Sequence, residues 1–130
     1  MTINHIKDLK PDPQNARAHT PRNVGMIEKA LGEVGAARSI VIDETGTILA
    51  GNATIEAAAL AGIERVQVVD TDGETIIAVR RSGLTEEQKK RLAIFDNRTA
   101  ELAEWDVDVL ADFAADGLSL GDWWQDFELA

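Results

Sequence analysis

The sequence predicts an α+β domain, a small mixed β-sheet with helices, followed by a helical C-terminal extension. Three observations carry this. Short apolar strand-like runs alternate with helical patterns up to about residue 83. Turn and cap residues punctuate them at each junction. After that point the periodicity is helical, and the composition turns acidic.

Taken in order, Ile3 to Leu9 reads as a short strand, followed by an irregular stretch broken by Pro11 and Pro13. Thr20-Pro21 is a helix start, a hydroxyl N-cap with proline at the first helical position. Val24, Ile27, Leu31 and Val34 recur at helical spacing up to Gly35, which suits the stop. Arg38 to Asp43 and Thr47 to Ala50 read as strands joined at Glu44-Thr45-Gly46. An alanine-rich helix from about Ala53 to Ala61 follows, with Gly62 as its C-cap. Arg65 to Asp70 and Thr75 to Arg80 read as two further strands around the Asp72-Gly73 turn. Thr85 and Gln88 have capping-box spacing and open a helix that Asp96-Asn97-Arg98 is expected to interrupt or recap. Asp106 caps the next helix. The organisation read from this is a core at residues 1–83 and an extension at 84–130.

Composition narrows the chemistry. With no cysteine among 130 residues, disulfides, thiolate metal sites and cysteine nucleophiles are excluded. No apolar run reaches the ~18–20 residues of a membrane helix, and the first residues lack the apolar stretch of a signal peptide. The expectation is a cytoplasmic protein without a membrane partner. The net charge of −10 is unevenly spread. All 13 Lys and Arg lie at or before Arg98 with 14 acids, giving 13 − 14 = −1, and the remainder holds 9 acids and no base. Non-specific DNA binding rests on phosphate neutralisation, so any DNA contact is expected through a local basic patch or, preferably, a partner protein.

The stretch ILAGNATIEAAALAG, Ile48 to Gly62, holds the main candidate site. An apolar strand turns through Gly51 directly into a helix. Glycine permits positive φ and close backbone approach, and the first helical amides lack helical partners at the positive end of the dipole. Such a corner suits phosphate or another anion.

These pieces, in this order, resemble the ParB/sulfiredoxin superfamily, and specifically its ParB N-terminal-like domain of the phage and plasmid type associated with DNA modification. IKDLKPDPQNARAH resembles the family's strand-then-proline-then-arginine entry; EVGAARSIVID resembles its segment before the box; ILAGNATIEAAALAGIERVQVV resembles the box. LTEEQKKRLAIFDNRTAELAEWD is similar to the segment that follows it. The resemblance spans roughly residues 3–113. It implies a nucleotide cleft taking CTP or ATP, with Mg²⁺ as an accompanying ion. Gly51, Asn52, Ala53 and Thr54 would hold phosphate, and Arg38, Ser39 and Arg17 would complete the cleft. Two departures stand out. Ala53 and Thr54 occupy the places of paired arginines in the box, and the Cys-His-Arg set of sulfiredoxin is absent.

Each residue also has an ordinary structural role. Thr54 is read as an N-cap, or as cap plus ligand; Asn52 as a turn residue or a ligand. Arg38 and Arg17 could be solvated, and Glu56 could serve only the helix dipole or act as a base or metal-water anchor. The acids Asp70, Asp72 and Glu74 read as a solvated turn, and His5 and His19 lack ligand spacing, so no metal site is assigned. Lys89, Lys90 and Arg91 read as neutralising the acidic end, with DNA contact as the alternative. Three functions therefore stand side by side. One is a nucleotide-binding module in a DNA transaction, encoded by a phage or mobile element. The others are a metal-dependent ParB-like nuclease or phosphotransferase using Glu56, and an interaction module. Trp123, Trp124 and Phe127 would pack on the domain or on a second copy, making a homo-oligomer.

Overall fold

The computed structural model describes residues 2–13, 17–18, 20–102 and 104–118, and gives backbone alone for 17–18, 96–102 and 104–105. The elements are β1 (Arg17–Ala18), α1 (Pro21–Val34), β2 (Val41–Ile42), β3 (Ile48–Ala50), α2 (Asn52–Ala61), α3 (Glu86–Leu102), β4 (Glu104–Trp105) and α4 (Val107–Ala115). The arrangement is α+β.

Local chemistry sets the helix ends. Thr20 accepts the Asn23 amide at 3.1 Å and Pro21 opens α1, as its sequence implies. Gly35 ends it at φ 74°. Thr85 and Gln88 close a reciprocal capping box on α3, the Gln88 amide donating to Oγ1 at 3.1 Å and Oε1 accepting the Thr85 amide at 2.9 Å. The Asp106 side chain accepts the Val109 amide at 3.1 Å and starts α4.

The β structure is sparse and mixed. β2 and β3 pair antiparallel with a register shift, Val41 opposite Ala50 and Ile42 opposite Ile48. Lys10 adds a parallel bridge to Thr47, and His5 an antiparallel bridge to Arg65. β1 pairs antiparallel with β4, Arg17 opposite Trp105. The Asp43 turn joining β2 to β3 is an Asx-type turn. One carboxylate oxygen accepts the Thr45 amide at 2.9 Å, the Thr45 hydroxyl at 2.7 Å and the Thr47 amide at 3.0 Å. The Thr45 hydroxyl first, then the Thr47 amide, holds the Asp43 carboxyl below the ordinary carboxylate range.

Four expected features differ. The strand at 3–9 is instead a 3₁₀ turn, Ile6–Asp8. His5 Nδ1 accepts the Lys7 amide and Asp8 accepts the His5 amide, so side chains offer the backbone a local alternative to a ladder. The strands expected at 65–70 and 75–80 do not form; among the described residues their one β-bridge is that of Arg65 to His5. Alternating hydrophobicity says which face a residue takes and not which strand it pairs with. Asp96-Asn97-Arg98 does not interrupt α3, which runs unbroken to Leu102 because neither glycine nor proline falls there.

The core is small. Val24 on α1 packs against Ala53 and Ala57 on α2, with Ile27 and Leu31 partly buried beside them. Alanine on α2 lets the two helices approach closely. α3 also packs on α1, where Arg91 forks onto Glu33 at 2.9 and 3.2 Å. Arg81 Nη1 donates to the carbonyls of Val34 and Ala36, closing the C-terminal end of α1 from outside the helix.

Candidate functional site

The corner between β3 and α2 is built by steric necessity. Gly51 is the N-cap of α2, with φ 110° and ψ 20° in the left-handed region. A Cβ there would overlap the Ile40 side chain, with the Ile40 Cβ only 2.8 Å away. Glycine therefore serves two needs at once, the backbone turn and the close approach of the segment before β2.

Thr54 is not the helix cap that the sequence suggests. Gly51 holds that position and supplies no side-chain cap, while Thr54 lies three residues into the helix. Asn52 is the first helical residue, so it does not take the left-handed turn conformation. Its Oδ1 accepts the Asp12 amide at 3.3 Å, which ties the N-terminal entry segment to the box. Ala53 turns its methyl into the core, leaving only its backbone toward the corner. The first ladder bond of the helix runs from the Ile55 amide to the Gly51 carbonyl at 3.0 Å. The amides of Asn52, Ala53 and Thr54 precede it and have no protein partner among the described residues.

Arg38, Ser39 and Thr54 line one cavity of about 790 Å³, open along one side. Arg38 and Ser39 are exposed, and Arg38 is partnered. The cavity walls are largely apolar: Ile27 and Leu31 from α1, Ile55 from α2, and residues of the 63–79 segment. Arg65 also lines it, a cation the sequence reading passed over because it sits inside an ordinary strand pattern. A shallower depression beside it joins Arg38 and Ser39 to Lys89 of α3. Glu56 is exposed on α2 and does not line the cavity. The backbone of Arg17 lies in β1; its side chain, His19, Trp123, Trp124 and Phe127 lie outside the described residues. Among the described residues no three acids or histidines come together as a metal site, and no helix is long and apolar enough to cross a membrane.

Two parts of the site had no signal in the sequence. Ile40 dictates glycine at 51, and Asn52 fastens Asp12 forty positions away. Each is a contact across the chain that no local pattern encodes.

This glycine corner, set between a short strand and an alanine helix in an α+β arrangement, is compatible with a ParB/sulfiredoxin-like fold. Comparison with curated proteins agrees. The chain is 31% identical over 86 residues to the ParB-like nuclease domain-containing protein YnaK of Escherichia coli (strain K12), a stretch covering 66% of this chain and 87% of that protein. The chain belongs to the ParB-like superfamily. No family model matches it, and no solved structure does.

Proposed function

We propose that this ParB-like protein binds the phosphates of a nucleotide, CTP or ATP with Mg²⁺, and acts in a DNA transaction or its regulation. The observation that carries the proposal is the Gly51 corner, where three successive amides have no protein partner among the described residues and Thr54, the last of the three, lines a cavity shared with Arg38 and Ser39. Amides at a helix start complement an anion through hydrogen bonds and the helix dipole together. Because Ala53 and Thr54 offer no cationic side chain, phosphate would be held mainly by backbone, with Arg38 and Arg17 as counter-charges. A phage or mobile-element origin and a cytoplasmic location belong to the same reading.

The test is titration calorimetry of the full chain with CTP, ATP and their diphosphates, with and without Mg²⁺. Saturable heat with one of them, weakened at least tenfold by Arg38→Ala without loss of fold, is the expected result. Absence of heat with all of them would sink the proposal.

A second reading, a metal-dependent nuclease or phosphotransferase, is favoured by the nuclease domain for which the relative is named. Glu56 is its base or metal-water anchor; it is exposed on α2, outside the cavity. Plasmid DNA incubated with Mg²⁺ or Mn²⁺ separates the two readings. Cleavage lost in Glu56→Ala supports the enzyme, and equal cleavage by both proteins removes Glu56 from the mechanism.

A further inference from the structure

Residues 75–80, Thr-Ile-Ile-Ala-Val-Arg, have the composition of a strand and belong to none. Ile76 is 92% exposed, and Ile77 and Val79 are exposed beside it. Among the described residues no backbone amide or carbonyl of this segment makes a hydrogen bond. A β-branched run with open amides and carbonyls, and with neither proline nor glycine, is an edge that pairs with another chain. The turn before it is fixed. The Gly73 amide donates to Thr71 Oγ1 at 3.2 Å and the Glu74 amide to Asp72 Oδ1 at 2.9 Å. The two ends of the segment are oppositely charged, with Asp70, Asp72 and Glu74 before it and Arg80 and Arg81 at its close. Arg81 is committed to the carbonyls of Val34 and Ala36. Among the described residues Asp70, Asp72, Glu74 and Arg80 form no ion pair.

We propose that this segment pairs antiparallel with the same segment of a second copy, about a two-fold axis at Ile77. Charge sets both direction and register. A parallel, in-register pair would put Glu74 on Glu74 and Arg80 on Arg80, and like charges directly opposite are destabilising. Antiparallel pairing instead lays the acidic end of each copy on the basic end of the other. Centred on Ile77, it sets Glu74 opposite Arg80 on both sides of the axis, Thr75 opposite Val79, and Ile76 opposite Ala78. A centre between Ile77 and Ala78 would set Glu74 opposite Arg81, whose guanidinium already closes α1. Main-chain hydrogen bonds then supply the association, and the side chains fix its register. A two-fold contact is self-complementary and closes at two copies. So short a pairing belongs to the weak, concentration-dependent class of interfaces. The inference does not depend on nucleotide binding, and its test contains no nucleotide.

The chain has no cysteine, so a single introduced one reports the axis. Opposite Cα atoms of an antiparallel pair lie ~4.5–5.5 Å apart, within the span of a disulfide. Ile77→Cys in the full chain is therefore expected to give a linked dimer under oxidised glutathione. In Val79→Cys the two sulfurs would sit four residues apart along the strands, about 14 Å, and linkage should be at least tenfold slower. Without oxidant, sedimentation equilibrium of the parent from roughly 10 μM to 1 mM should show mass rising to a dimer. Arg80→Glu, which opposes like charges at both Glu74 contacts, should weaken association at least tenfold. Adding Glu74→Arg to it should restore association, because the pair is then reversed and again opposite in sign. A monomer throughout the range overturns the proposal, as does a mass that grows past the dimer. Association indifferent to Arg80→Glu, or not restored by the reversal, also overturns it. So does an Ile77→Cys chain that links no faster than Val79→Cys. If Arg80→Glu loses the helical circular dichroism of the parent, the cysteine comparison decides alone.

Discussion

Gly51→Ala tests the architecture of the corner most directly. Two costs add at this one atom. An L-residue in the left-handed region loses ~1–2 kcal/mol relative to glycine, and φ at Gly51 is 110°. The new methyl must also displace Ile40, whose Cβ would lie 2.8 Å from it, and overpacking of this kind costs typically ~1–3 kcal/mol. The sum is about 2–5 kcal/mol. At roughly 2.1 cal/mol/K per residue, unfolding entropy for 130 residues is about 0.27 kcal/mol/K. The midpoint should therefore fall by roughly 7–18 °C, read by circular dichroism or calorimetry. The overlap term can be isolated in a double-mutant cycle. In an Ile40→Gly background, Gly51→Ala should cost ~1–3 kcal/mol less than in the parent, because the side-chain atoms it collides with are gone. A midpoint drop of under about 3 °C, less than 1 kcal/mol on the same scale, would refute the reasoning. It would mean that neither the turn nor Ile40 requires glycine.

Gly25→Ala and Gly32→Ala sit inside α1 with no atom within 4 Å of a new Cβ, so each should raise stability by about 0.5–1 kcal/mol in urea denaturation. Arg81→Ala strips the carbonyls of Val34 and Ala36 of their shared donor and should cost about 1–2 kcal/mol, with faster amide exchange confined to the last turn of α1. Asp43 has its folded pKa lowered by the Thr45 hydroxyl, then by the Thr47 and Thr45 amides. Its contribution is thus complete above the unfolded carboxylate value near ~4 and fades as pH falls through the folded value. Asp43→Asn should consequently be less stable than the parent at neutral pH, and the gap should close in acid melts; a gap that widens in acid would reverse the sign argued here.

Much of the fold was legible because it is written in local chemistry. Thr20-Pro21, the Thr85–Gln88 box and Asp106 each act within one helical turn, and each makes the bond its spacing implies. The glycine corner was legible for the same reason, since a strand meeting a helix at Gly51 needs a residue free to adopt positive φ. What escaped was decided by competition or by distance. His5 and Asp8 diverted an apolar run from a ladder into a 3₁₀ turn, where polar side chains outbid a strand partner that the sequence does not specify. At 96–98, turn-forming residues were carried along by a helix already nucleated at Thr85. In the site, the spacing of Arg38, Ser39 and Thr54 implies nothing by itself. Their shared cavity follows from the crossing of α1 and α2, which depends on alanine at 53 and 57. Arg65 and the Asn52–Asp12 bond depend on the same long-range geometry.

The pairing of Arg17 with Trp105 has a consequence for how the chain is made. The two positions are 105 − 17 = 88 residues apart. At about 5–20 residues per second, a ribosome delivers the second roughly 4–18 s after the first. Through that interval α1 and α2 can already dock, since they are near neighbours in the chain and share the Val24–Ala57 contact. The β1 pairing of Arg17 cannot form until Trp105 has been made. Arg17 is thus translated before the two helices that dock early, and its strand is set after them.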